Sequence, residues 1–327
     1  MSQLRQSPSA EAERVERPRA EPPRRREWFT RRWFDNRMLP VLFLAPATVF
    51  IFGLTIWPVL QALHLSFTSA DLGTLMTGEH EYIGFENYAN VVTSSQLRGV
   101  FVVTALFGFA CVIATMVMGI GTALLLNQRF AGRWLLAVMV LLPWAVSNVA
   151  AGIVWKWMFD DQYGVVNWGL STIGLGGFAG FPWFNHQLSA FLAIGVVVVW
   201  QSFPFIALCM LAGLQSLSEE VLDAARVDGA SPWQLLRRII LPILTPLILV
   251  LVVISTIWDF KIVDQEFVMT GGGPARATEL VAITTWREAF TQHDFGLSSA
   301  LAMALFVVIS LVIVAYLWLI RDDEDLT

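Results

Sequence analysis

The chain has 327 residues, 56% of them hydrophobic and 14% charged, where an average soluble domain is about 25% charged. With a mean hydropathy of +0.62 and 14 Trp and 23 Phe against four Tyr, this composition argues against a soluble globular protein and for one embedded in lipid. The net charge of −5 says little about partners, because the charges are segregated along the chain and no basic nucleic-acid-binding patch stands out.

Residues 1–26 are rich in Arg, Glu, Pro and Ala and have little to bury, so they are expected to form a disordered tail. Residues 27–37 interleave Trp28, Phe29, Trp33 and Phe34 with Arg31, Arg32 and Arg37. That pattern suits a short helix lying on an anionic membrane surface. An export signal is the alternative, but the apolar run that follows is as long as a full span and lacks a clear small-x-small cleavage site.

Six segments, near 39–63, 99–126, 134–158, 187–213, 239–260 and 297–320, are long and apolar enough to cross the hydrocarbon, which takes about 20 helical residues. Pro46, Pro143, Pro204 and Pro246 lie inside them, which membrane helices tolerate. Cys111 and Cys209 fall within apolar segments and read as small hydrophobes. The four His are scattered without ligand spacing, so no metal site is expected. No internal repeat is visible.

Charge sets the orientation. The tail, Arg129, Arg133, Arg226, Arg237, Arg238 and Arg321 lie on one side. Arg98, Lys156, Lys261, Arg276 and Arg287 lie on the other. The split is 16 basic residues against 5. The positive-inside rule puts both termini and the loop 214–238 in the cytoplasm.

Several chemistries find no support. The two lysines, Lys156 and Lys261, are followed by Trp157 and Ile262, so there is no phosphate-cradling G-x-x-x-x-G-K-[ST] loop. No Ser-His-Asp or Cys-His constellation is legible, and no catalytic residue is expected. Intramembrane carboxylates and His are too few for a proton relay.

The most informative stretch is Asp223–Pro242, DAARVDGASPWQLLRRIILP. Helix formers surround Asp223-Ala224-Ala225, and Gly229 then interrupts the run. Ser231 is a good N-cap and Pro232 suits the first helical position. A second helix is expected from Trp233 through Arg237 and Arg238 to Pro242. The stretch is therefore a helix, a sharp turn and a helix between two spans.

This stretch resembles the cytoplasmic coupling loop of the membrane subunits of ATP-binding-cassette (ABC) importers. That family's pattern is EAA, three residues, G, nine residues, I-x-L-P. Asp223-Ala224-Ala225, Gly229, Ile239, Leu241 and Pro242 keep both gaps, with Asp223 in place of the usual Glu. Asp228 before Gly229 resembles the sugar-importer branch. The resemblance covers residues 38–320, and only the coupling loop is specific.

The resemblance implies an all-α polytopic membrane protein of the type I ABC importer permease fold with six transmembrane helices. Residues 1–37 would be a cytoplasmic tail and 38–327 the permease domain, with its coupling loop at 214–242. Asp223, Ala224, Ala225, Asp228 and Gly229 would form an elbow docking on an ABC ATPase dimer. The ATP and Mg would reside in those partner subunits, with no cofactor in this chain. A second, similar permease chain and an extracytoplasmic solute-binding protein complete the expected complex in the inner membrane. Transport would proceed by alternating access. The expected solute is a disaccharide or oligosaccharide, with a polyol or glycerol-phosphate second. A stand-alone carrier or channel is the rival of a different class.

Two further groups are candidates. Gln201 and Ser202 lie in the fourth segment beside Trp200 and Phe205. Ser255, Thr256, Trp258 and Asp259 lie in the fifth. Polar groups at membrane depth are costly unless they face protein or a water-filled cavity. Aromatic faces beside hydrogen-bonding groups suit a sugar. By analogy with maltose-type relatives, Val198, Gln201, Ser202, Phe205, Ser255, Trp258 and Asp259 fall at or near the solute path. The second group is the loop holding Gly271, Gly272, Gly273 and Pro274, which resembles one common in sugar-importer permeases. It is expected to touch the binding protein or form an outer gate; a plain turn is the alternative.

Overall fold

A computed structural model of the chain describes residues 39–324. The expected tail and interfacial helix lie outside the described residues. Contacts divide the chain into two units, one ending at Val59 and one beginning at Leu60. Helix α1 (Leu39–Ile51) passes through a π turn at Phe52–Ile56 into α2 (Trp57–Leu65), which begins in the first unit and ends in the second, and Val41–Leu65 is long and apolar enough to span.

The second unit is helical throughout its described residues, with two isolated bridges and no sheet. Short helices α3 (Leu72–Thr77) and α4 (Glu86–Thr93) lead into the 33-residue α5 (Ser95–Asn127). Ser94 caps α5 by accepting from the Leu97 N–H. Then come α6 (Arg133–Ala145), α7 (Asn148–Met158), α8 (Val165–Thr172) and α9 (Gln187–Gln215). The elbow consists of α10 (Glu219–Val227), α11 (Pro232–Leu235), a π turn at Leu236–Ile240, and α12 (Leu241–Ile243). The remaining helices are α13 (Thr245–Asp259), α14 (Asp264–Met269), α15 (Val281–Phe290) and α16 (Phe295–Glu324).

Among the described residues, five stretches pass as spans, Val41–Leu65, Ser95–Asn127, Gln187–Gln215, Thr245–Met269 and Phe295–Trp318, and a sixth if α6 and α7 count as one. The sequence reading of an unbroken third segment is therefore corrected. α6 and α7 meet at 103°, with Val146 and Ser147 extended between them (ψ 137 and 138). Pro143 lacks an N–H, and Ser147 stands where an N-cap starts a new helix. The fifth span likewise begins at Thr245, not 239. Pro242 cannot donate to the Arg238 carbonyl and its ring crowds that turn, and the chain bulges there into the π turn.

The core of this unit is the α5–α9 pair with α13 laid against it. Val112, Met116 and Ala123 of α5 pack with Ile206, Met210 and Leu214 of α9 and Leu251 of α13. Phe107 and Cys111 pack with Ile194, Val197 and Val198 nearer the other end of α9. Small residues let the backbones approach. A Cβ on Gly119 would lie 2.6 Å from Ile206 Cβ. Cys111 is buried and free, as read from the sequence; Cys209 is free and half-buried.

Candidate functional site: an elbow, a cavity and a glycine-rich loop

The elbow is built by local rules. α10 ends where Gly229 takes a left-handed φ of +82. Ala230 N–H donates to Ala225 O (3.0 Å) and Gly229 N–H to Arg226 O (3.1 Å). This is the hydrogen-bond pair of a Schellman cap, which favours glycine at that position. Two residues on, Ser231 and Gln234 cap α11 reciprocally: Ser231 N–H donates to Gln234 Oε1 (2.8 Å) and Gln234 N–H to Ser231 Oγ (3.3 Å). Ala225 is buried while Asp223, Ala224, Asp228 and Gly229 are exposed. Asp223 accepts from Arg226 Nη1 at 2.6 Å, so its first partner is its own helix. Val227 and Trp233 stand exposed on either side of the turn. The second arm departs from expectation: in place of one helix to Pro242 there is a short α11, the π turn and α12.

A cavity of about 430 Å³ lies among the α6–α7 break, α9, and α13 with α14. Val198, Gln201, Ser202, Trp258 and Asp259, all expected on the solute path, line it. Phe205 and Ser255 support the lining from behind. The Phe205 ring lies between Trp144 (centroids 5.8 Å apart) and Trp258 (5.2 Å), and Ser255 Oγ donates to Asp259 Oδ2 at 2.9 Å. The sequence reading did not include Trp144, Asn148, Lys261, Asp264 or Gln265, which also line the cavity. A larger hollow of about 800 Å³ runs between α5 and α9. Its lining is mostly apolar, and the Gln187 Nε2 on it donates to Ala277 O (2.6 Å), so it offers a hydroxyl-rich solute few partners.

The glycine-rich loop is a braced structure, not a plain turn. Gly271 and Gly272 have φ of +59 and +88, and Ala275 and Arg276 follow in left-handed conformations. Glu279, 2% exposed, organises the loop. It accepts from Arg276 Nε at 3.0 Å and is ion-paired with Arg287 Nη2 on α15. Glu266 on α14 is fully buried and accepts the Leu280 N–H at 3.0 Å. Burial, then the Arg276 charge, holds Arg287 below the usual guanidinium range, against the pull of Glu288 and Glu266. Lys156 of α7 donates to Val268 O at 3.0 Å and ties the far side.

Among the described residues no three His, Cys, Asp or Glu gather as a metal site. His64 and His80, scattered in sequence, do meet edge to face, 5.8 Å between ring centroids.

Residues 90–322 match the family model described as "Binding-protein-dependent transport system inner membrane component", and the chain belongs to that family. It is an inner-membrane permease subunit that works with a solute-binding protein. The chain is 36% identical to the sulfoquinovosyl glycerol transport system permease protein SmoG of Agrobacterium fabrum, covering 88% of this chain and 92% of that one. It is 34% identical to the trehalose/maltose transport system permease protein MalF of Thermococcus litoralis, covering 76% and 82%. The fold matches a chain of a bacterial ABC transporter that imports the acidic polysaccharide alginate. The TM-score is 0.76 at 20% identity, covering 90% of this chain and 99% of that one.

Proposed function

We propose that this chain forms half of the path of an ABC sugar importer and passes a disaccharide or oligosaccharide by alternating access. The observation that carries this reading is the cavity itself, where the indoles of Trp144 and Trp258 stand beside Gln201, Ser202, Asp259 and Gln265. A sugar ring has apolar C–H faces and a rim of hydroxyls, and such a lining offers both kinds of contact. The names of the relatives, SmoG and MalF, support a carbohydrate solute. A glycerol-phosphate is disfavoured, because the lining carries Asp259 and Asp264 against one cation, Lys261.

On this reading a second permease chain supplies the other half of the path, and an ABC ATPase dimer docks on the elbow formed by Asp223, Ala224, Ala225, Asp228 and Gly229. ATP and Mg act in those subunits, and this chain catalyses nothing. The elbow and both termini face the cytoplasm, as the split of 16 against 5 basic residues indicates. Along α9 the cavity-lining Gln201 lies about 14 residues from the helix end at Gln215, roughly 20 Å at 1.5 Å per residue, and a short turn leads from there to the elbow at Glu219. A movement of the elbow can therefore reach the cavity through one rigid helix. The loop Gly271–Pro274 faces the binding protein.

The test is uptake of labelled maltose, trehalose, sulfoquinovosyl glycerol and glycerol-3-phosphate by the intact complex in proteoliposomes. At least one sugar should enter, with glycerol-3-phosphate excluded. Trp258→Ala and Asp259→Ala should each reduce sugar uptake at least tenfold with the complex still assembled. Full uptake in both variants would remove the cavity from the path.

A further inference from the structure

The break between α6 and α7 leaves a problem at Val146. A residue at a helix C-cap has a carbonyl with no partner in its own helix, and here it lies at membrane depth. Gln201 of α9 resolves this by donating its Nε2 to Val146 O at 3.0 Å. The Gln201 amide oxygen then needs a donor, and Gln265 of α14 supplies one, Nε2 to Oε1 at 2.9 Å. The two glutamines are 5% and 7% exposed. One chain of hydrogen bonds thus joins the break in the third span, the middle of the fourth and the extension of the fifth. Both glutamines line the cavity.

We propose that Gln265 is a solute contact that gates the path. In this structure its amide bolts α14 to α9 through Gln201; solute hydroxyl groups take its place on Gln201 and free α14 from α9. The chemistry is matched. A primary amide and a pair of adjacent sugar hydroxyls both donate and accept, so a sugar can satisfy Gln201 where an apolar molecule cannot. Opening the bolt without a replacement leaves Gln201 Oε1 and Gln265 Nε2 without this bond, which favours the closed arrangement. A ligand shifts an equilibrium only by binding one state better, and here it supplies to the open state the bond that state lacks.

The position of α14 suits the role. Gln265 points into the cavity and its neighbour Glu266 points away, onto the Leu280 N–H. The braced loop and the cavity therefore hold two different faces of one short helix. Nothing in the sequence marks Gln265, which lies beyond the apolar run of the fifth span.

The proposal rests on the reading of this cavity as a sugar path, and the test separates the two. ATP hydrolysis by the intact complex with its binding protein is measured with and without the sugar that wild type takes up. Gln265→Leu should raise sugar-free hydrolysis at least threefold, cut stimulation by sugar at least threefold and lower uptake. Gln201→Leu, which also strips Val146 O of its donor, should do at least as much, and the double variant should go no further than Gln201→Leu, because both substitutions remove the one bond between the glutamines. Unchanged sugar-free hydrolysis in both single variants would overturn the bolt. As a second measurement, Gln201→Cys and Gln265→Cys, combined with Cys111→Ala and Cys209→Ala, are bridged by a short reversible bifunctional thiol reagent. Uptake should stop and return on reduction; uptake through the bridged form would also overturn it. A wild-type complex that imports none of the sugars would refute the reading of the solute, while sugar-free hydrolysis would still report on the bolt.

Discussion

Gly272 lies directly against the side chain of Glu279: a Cβ on Gly272 would stand 2.5 Å from Glu279 Cγ. The contact fixes one side of a carboxylate whose other side is held by Arg276 and Arg287. The three consecutive glycines of the loop are thus not equivalent. Gly272 is required by both its φ of +88 and its neighbour, whereas Gly271, at +59, has only Phe267 O near, at 3.8 Å.

The consequence is measurable. Gly272→Ala combines a left-handed backbone with overpacking and should destabilise the protein by about 2–4 kcal/mol. Gly271→Ala carries the backbone cost alone, about 1–2 kcal/mol. Thermal unfolding of the detergent-solubilised protein should show the larger fall in Tm for Gly272→Ala. Equal Tm values would mean that the Glu279 contact is not what selects glycine there.

The two arginines on Glu279 should also differ. Arg287 is mostly buried, whereas the Arg276 side chain is 45% exposed. Arg287→Ala strips a buried carboxylate of its buried partner and should cost roughly 3–5 kcal/mol. Arg276→Ala removes a half-exposed guanidinium from a carboxylate that keeps Arg287 and should cost about 0–1 kcal/mol. Replacing Arg287 and Glu279 together by Met and Gln should recover part of the loss, which the same unfolding measurement would show. A fall as large for Arg276→Ala as for Arg287→Ala would show that exposure does not set the cost.

Much of this was legible in the sequence, for identifiable reasons. Spans are visible because lipid demands about 20 apolar residues in a row, and the elbow because Gly229, Ser231 and Pro232 act through local backbone geometry. Val198, Gln201, Ser202, Trp258 and Asp259 line one cavity, and each lies on a helix that is visible in the apolar pattern. The break at Val146 was not legible, because α6 and α7 are apolar on both sides of it and Pro143 alone is tolerated in membrane helices. Trp144, Asn148 and Gln265 entered the cavity only through that break and through α14, so they could not be found from hydropathy. Glu266 and Glu279, two carboxylates near arginines in an apolar chain, are the sequence signal of the braced loop.

The α5–α9 contact gives a prediction about packing alone. Gly119→Ala would put its Cβ 2.6 Å from both Cβ and Cγ2 of Ile206, at the centre of the interface between two spans. The helices would have to part, at a cost of about 1–3 kcal/mol. Ile206→Ala alone leaves a cavity and should cost about 2–5 kcal/mol. The double variant Gly119→Ala/Ile206→Ala should be more stable than the sum of the two, because the new methyl occupies space that the isoleucine vacates. Strict additivity in unfolding would show that the two spans adjust independently of this contact.

Gly229 poses the opposite case to Gly272. Its φ is +82, yet nothing lies within 4 Å of where a Cβ would be. Sterics within the fold therefore permit a side chain, and only the backbone objects. Asn enters the left-handed region readily, Ala at about 1–2 kcal/mol, and a β-branched residue with the greatest difficulty. The order of elbow integrity should be Gly, then Asn, then Ala, then Val. If the open space around Gly229 is also open in the assembled transporter, retention of the ATPase on the purified membrane complex should follow this same order, with Gly229→Asn close to wild type and Gly229→Val largely stripped of ATPase. If the ATPase occupies that space, Asn and Val should both lose it, because bulk and not φ would then decide. Co-purification of the four variants distinguishes the two outcomes, and equal retention by all four would remove the elbow from the docking surface.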